Sequence, residues 1–142
     1  MIHNIQSVSS IAALRVLEAA LSHATAAELS IAVCLCDAQG HVLASARMDG
    51  VTPPILTFAQ DKAYTAATMR RTTAAFGDRM GSSQSLTLGL STRERLLSWG
   101  GGLPIVHQGK IIGGIGVSGA KDFEDIACAE AALADQNFGW EI

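Results

Sequence analysis

Between Lys110 and Gly119 the chain sets four glycines, Gly113, Gly114, Gly116 and Gly119, among Ile111, Ile112, Ile115 and Val117. The β-branched residues predict a strand. Glycines inside a strand contribute no side chain to packing, and they let another backbone or a ligand approach closely. A second run, Gly100-Gly101-Gly102, precedes the apolar segment Leu103–His107. The rest of the composition agrees: alanine occurs 23 times and glycine 14 times, while aromatics make up 5% of the chain. Such a chain is expected to build thin layers with close backbones instead of a core of large rings.

The elements follow from periodicity. Ile11, Leu14, Leu17 and Leu21 recur at three- and four-residue steps, which predicts a helix burying that stripe, capped by Ser9 or Ser10. Ser30–Asp37 and His41–Arg47 form a predicted hairpin around Asp37-Ala38-Gln39-Gly40. Asp49-Gly50 and Pro53-Pro54 end the second strand. A second helix is expected from Ile55 to about Thr73, with Phe58, Lys62, Thr65 and Met69 at related spacings and Ala59, Ala63, Ala66 and Ala67 allowing close contact. Gly77–Gly89 is polar and rich in glycine and serine, and is expected to be a long loop. Arg95–Trp99, Leu103–His107 and Lys110–Val117 are three further predicted strands, the last two joined by a tight turn at Gln108-Gly109. Asp122 is the expected cap of a final helix burying Phe123, Ile126, Ala129 and Leu133. The sum is an α/β (α+β) fold, a five-stranded antiparallel sheet packed with helices, read as one domain over residues 1–142.

Charge and motifs exclude several functions. The formal net charge is −3 and no basic cluster exceeds Arg70-Arg71, so no nucleic acid partner is expected. No apolar run approaches the roughly 20 residues of a membrane span, and the first ten residues lack the order of a secretory signal. Three cysteines cannot all pair within one chain, which suits a reduced, cytoplasmic protein. Phosphate-loop, dinucleotide, zinc-protease and C-x-x-C motifs are absent. The four histidines are scattered, and no metal site is expected.

A set of segments read in order carries more. Ile31-Ala32-Val33 leads into Asp37-Ala38-Gln39-Gly40, and Arg47-Met48-Asp49-Gly50 and Lys62-Ala63-Tyr64-Thr65-Ala66 follow. Gly101-Gly102-Leu103-Pro104-Ile105 comes next, then Gly113-Gly114-Ile115-Gly116-Val117-Ser118-Gly119, with Asp125 downstream. In this order the set resembles the GlcG / HbpS / PduO C-terminal-domain family over about residues 8–135. The stretch from Gln84-Ser85-Leu86 to Pro104 is most similar to OrfY-type members. The resemblance implies a profilin-like fold, homo-oligomers built from dimers and, in some members, binding of heme or a corrinoid-related ligand.

Individual residues carry two readings each. Arg47 offers paired donors for a carboxylate or propionate, or it pairs with Asp49 while Asp49-Gly50 supplies a turn. Lys62 is either solvated or, if buried, shifted towards base or imine chemistry. Gly101 and Gly102 let backbone approach a ligand, or only pack strands closely. Ser118 and Asp125 are pocket-lining groups or, respectively, a turn residue and a charge suited to a helix N-terminus. His23 is an axial-ligand candidate through the resemblance, or a surface histidine near a helix C-terminus. Cys34 and Cys36 share one sheet face and read as core thiols. Two functions follow. The first is a small-molecule-binding accessory protein, its ligand heme or a cobalamin-related species, with Arg47, Asp49, Lys62, Gly101, Gly102, Ser118 and His23 at the site and no other cofactor assigned. The second is an isomerase- or lyase-type enzyme acting on a small carboxylated or carbonyl metabolite, with Lys62 and Asp125 catalytic.

Overall fold

The computed structural model describes residues 1–142. Its elements in chain order are α1 (Ser10–Ala26), β1 (Ala32–Asp37), β2 (Val42–Arg47), α2 (Pro53–Met69), α3 (Thr73–Met80), α4 (Gln84–Leu90), β3 (Gly102–His107), β4 (Lys110–Ser118) and α5 (Asp122–Asp135). The strands form one antiparallel sheet in the order β2-β1-β4-β3. An α+β fold is therefore observed, with four strands where five were expected.

The missing strand is Arg95–Trp99, and a threonine explains its loss. Thr65 Oγ1 of α2 donates to the Arg95 carbonyl at 3.1 Å and accepts from the Leu97 N–H at 3.0 Å. Backbone groups that a neighbouring strand would pair are thus taken by a side chain, and Arg95 sits at φ 67°, outside the β region. The expected loop at Gly77–Gly89 is also absent: it holds the end of α3 and most of α4. Thr72 and Ser83 cap these helices, accepting from the N–H groups of Ala75 and Leu86.

Register divides the sheet into two unlike faces. Ala32, Cys34 and Cys36 of β1 stand opposite Ser118, Gly116 and Gly114 of β4, and Gly116 and Gly114 stand opposite Gly102 and Pro104 of β3. This face is made of small residues, and α2 lies on it with Ala59, Ala63, Ala66 and Ala67 buried. The approach is backbone to backbone. A Cβ on Gly116 would lie 2.0 Å from the Ala59 carbonyl oxygen, and one on Gly114 would lie 2.5 Å from that of Ala63. The proline pair starts α2 instead of merely ending a strand, because the first helical positions need no N–H donor.

The opposite face presents Val33, Leu35, Leu103, Ile105, Ile115 and Val117 to α1 and α5. Burying each such aliphatic side chain contributes about 1.5–3 kcal/mol. Both helices meet it with smaller residues than their patterns predicted. On α1 the buried stripe is Ala13, Val16, Ala20 and Ala24, while Ile11 and Leu14 are 62% and 47% exposed. On α5 Cys128, Ala129, Ala132 and Leu133 are buried, and Phe123 is 67% exposed. Large strand residues fill the interlayer space, so the helices contribute alanines. Ser9 caps α1 as expected, accepting from the Ala12 N–H. Asp122 instead begins α5, and Glu124 accepts the N–H of the preceding Lys121.

The two hairpin turns hold as expected. Asp37 Oδ1 accepts from the N–H groups of Gln39 and His41. Gln108 and Gly109 both have positive φ, 50° and 75°, the backbone that a two-residue hairpin requires. One outer edge of the sheet is covered, since Val106 of β3 bridges to Gly139.

Candidate functional site

The glycine runs and Lys62 turn out to be one construction. Lys62 follows Ala59 on the sheet-facing side of α2, above the end of β4. Its stem passes where side chains are missing: a Cβ on Gly116 would meet Lys62 Cβ at 2.9 Å, and one on Gly101 would meet Lys62 Nζ at 2.7 Å. The lysine is completely buried. Its ammonium donates to the Val117 carbonyl at 2.8 Å and to Asp125 Oδ2 at 3.3 Å. Asp125, in the first turn of α5, also accepts from the Ala120 N–H through Oδ1 at 3.1 Å. Four parts of the chain, α2, the end of β4, the following turn and α5, are thereby joined by one ion pair.

Burial dominates the electrostatics. Loss of water pushes the Lys62 pKa below the ordinary lysine value, while the Asp125 carboxylate works to raise it. Loss of water likewise pushes Asp125 up, opposed by Lys62 and by the Ala120 N–H. Such a pair costs desolvation energy, which the mutual attraction and the extra hydrogen bonds offset. In this arrangement the ammonium touches protein only. A cavity of about 240 Å³ reaches Gly101 and Gly102 and is also lined by Leu103, Ile126 and Glu130, but Lys62 does not line it. Backbone at Gly101 therefore touches the cavity on one side and the buried ammonium on the other.

The remaining candidates lie elsewhere. Ser118 is buried at the end of β4, opposite Ala32. Arg47, the last residue of the outer strand β2, and Asp49 just beyond it are exposed and form no ion pair with each other; the ion pairs are Lys62–Asp125 and Arg95–Asp61. Arg47 donates to the Val51 carbonyl, and with Asp49, Leu21 and Thr25 it lines an open hollow of about 380 Å³. His23 is half-buried in a groove between α1 and α5, of about 540 Å³, beside Arg15, Glu18, Ser22 and Asp135. Lys62, Asp125, Gly101, Gly102 and Ser118 are thus gathered at one end of β4, while Arg47 with Asp49 and His23 occupy separate places.

Sequence reasoning missed Arg15, although Arg15, Ala19 and His23 keep the four-residue steps of one helical face, with Glu18 and Ser22 beside them. It also missed the two backbone partners, the Val117 carbonyl and the Ala120 N–H, which no residue type announces. The three cysteines are free and buried. Burial pushes each thiol up to about 12, so they are inert core groups at neutral pH.

Comparisons with known proteins bear on this geometry. Residues 8–134 match the family described as "Haem degrading protein HbpS-like". An uncharacterized 15.0 kDa protein from the dhaT-dhaS intergenic region of Citrobacter freundii is 32% identical over 130 residues, which cover 91% of this chain and 92% of that protein. The crystal structure of Klebsiella pneumoniae protein ORFY is similar with a TM-score of 0.88 at 27% identity, covering 95% of this chain and 94% of that one. The PduOC–heme complex is similar with a TM-score of 0.87 at 26% identity, covering 96% and 99%.

Proposed function

Since this chain belongs to the HbpS-like family, we propose that it is a heme-related small-molecule-binding protein that works as a homo-oligomer. The observation that carries this reading is the half-buried His23 on the wall of the α1–α5 groove, with Arg15 beside it. The donor chemistry fits the group. A neutral imidazole is a common axial ligand of heme iron, and a guanidinium offers paired donors to a propionate. Bound heme would supply redox and gas-ligand chemistry at its iron. This chain's part is to present the imidazole from a helix that alanines hold firmly on the sheet.

The groove has alanines at only Ala19 and Ala131 among its eight lining residues. A porphyrin face is apolar, so a second copy is the natural source of further cover. Ile11, Leu14 and Phe123 are apolar side chains that one copy leaves exposed, and burying them between copies favours association. A cytoplasmic setting accords with the three unpaired thiols. No helix is long and apolar enough to cross a membrane. The isomerase or lyase reading draws less support: Lys62 and Asp125 are paired and buried, and Arg47 does not join them.

Hemin titration of the purified chain, followed at the Soret band, tests the proposal. A saturable change at micromolar hemin is expected, weakened in His23→Ala and, less, in Arg15→Ala. An absent change, or one untouched by His23→Ala, overturns the assignment of the groove. Mass measurement in solution tests assembly, and a monomer at all concentrations overturns it.

A further inference from the structure

One cavity lies apart from both the Lys62–Asp125 pair and the His23 groove. It measures about 340 Å³ and opens between α4 and the body of the molecule. Met69 at the end of α2, Phe76 and Met80 of α3, and Leu96 form its floor, and Leu86 and Leu90 of α4 face them. The helix α4 has no buried residue of its own. It therefore presents two leucines to other apolar side chains without closing the space between them.

The rim carries charge of one sign. Arg93 lines the cavity and has no carboxylate partner, because the ion pairs are Lys62–Asp125 and Arg95–Asp61. Its guanidinium donates to the neighbouring Thr92 Oγ1 at 3.2 Å, which leaves further donors free. Apolar walls with a few converging polar groups, at this volume, are the ordinary make-up of a small-molecule site. Methionines at Met69 and Met80 suit a flexible apolar chain, since their thioethers adapt to irregular surfaces.

We propose that this cavity binds a small amphipathic carboxylate, its apolar chain lying between the methionine-lined floor and α4 and its carboxylate paired with Arg93. The volume has room for a chain of roughly ten carbons. Charge complementarity at Arg93 separates this occupant from a neutral apolar molecule. The site is independent of the groove at His23.

Decanoate and decanol, each below its micelle concentration, are the probes, read by NMR of methionine methyl groups in the full chain. The chain has four methionines, Met1, Met48, Met69 and Met80, and only the last two line the cavity. Decanoate is expected to move the Met69 and Met80 methyl signals saturably and leave Met1 and Met48 in place. It should bind about threefold more tightly than decanol, since Arg93 is exposed and a solvated ion pair contributes little. Arg93→Gln should bring the two probes to similar affinity. Gly89→Phe fills the cavity mouth, where a Cβ on Gly89 meets nothing within 4 Å, and should abolish both without disturbing the fold. The proposal is overturned by no saturable shift, by shifts at all four methionines, or by equal affinity for both probes in the unaltered chain. It is also overturned if Met69 and Met80 shift with protein concentration alone while the mass rises, since a second copy is then the occupant.

Discussion

The two faces of the sheet reach the same degree of burial by opposite means. Under α2 the strands offer glycine, alanine and cysteine, and helix backbone rests on strand backbone. Under α1 and α5 the strands offer valine, isoleucine and leucine, and the helices answer with alanine. The first face is specified by what is absent, so it admits one arrangement and tolerates no added atom. The second is specified by filled volume, so it loses stability in proportion to what is removed. Lys62 belongs to the first face: it is long enough to occupy the space along Gly101 and Gly116, and it carries a charge that Asp125 must then meet.

The largest expected effect tests that dependence. Asp125→Ala leaves the Lys62 ammonium buried without its partner and should cost about 3–5 kcal/mol in urea unfolding. The double variant Lys62→Met, Asp125→Leu should recover most of that loss. A double variant as unstable as the single one would show that the ion pair is not what makes the first face costly to alter. Next comes Gly116→Ala, whose Cβ would collide with the Ala59 carbonyl and which should cost about 3 kcal/mol, the upper end of ordinary overpacking. A smaller cost would mean that α2 can lift away from the sheet.

A pH series sharpens the comparison further. Burial pushes the folded thiols up to about 12 from the ordinary thiol value of 9.0, so above pH 9 the unfolded chain releases protons that the folded chain keeps. Stability is therefore full below about pH 9 and falls as pH rises towards 12, by about 1.4 kcal/mol per pH unit for each fully ionised unfolded thiol. Cys128→Ala should flatten the decline by one thiol's share. Lys62 acts with the opposite sign: its lowered pKa makes the unfolded chain the proton-rich one, so stability gains as pH rises towards 10.5, and Lys62→Met should steepen the net fall. The smallest effect belongs to the second face, where Ile115→Val removes one methylene next to Gly116 and should cost about 1 kcal/mol.

Patterns that depend on hydrophobicity and turn chemistry could be read directly from the sequence. The Asp37–Gly40 and Gln108-Gly109 turns, the Ser9 cap and four strands are examples. What escaped depends on size and on distant partners. Ile11, Leu14 and Phe123 fit a helical stripe, yet close packing selected Ala13, Ala20 and Ala132 because the strands already supply the bulk. Leu96, Leu97 and Trp99 look like strand residues, but Thr65, about thirty positions away, takes the backbone bonds of Arg95 and Leu97. At the candidate site, Lys62 and Asp125 could be chosen as residues. Their pairing could not, because it depends on space left by Gly101, just before β3, and by Gly116 on β4.

The placement of the cysteines gives each face its own chemical reporter. Cys34 and Cys36 lie beneath α2, and Cys128 donates to the Ala20 carbonyl beneath α1. A thiol-specific alkylating reagent reaches a buried sulfur only when its cover opens, so the labelling rate of each cysteine measures the free energy of that local opening. Peptide mapping after timed alkylation thus gives two opening rates from one unaltered protein. Cys34 and Cys36 report α2 lifting from the glycine strands, and Cys128 reports α1 parting from α5. Whichever label arrives first identifies the layer that moves first.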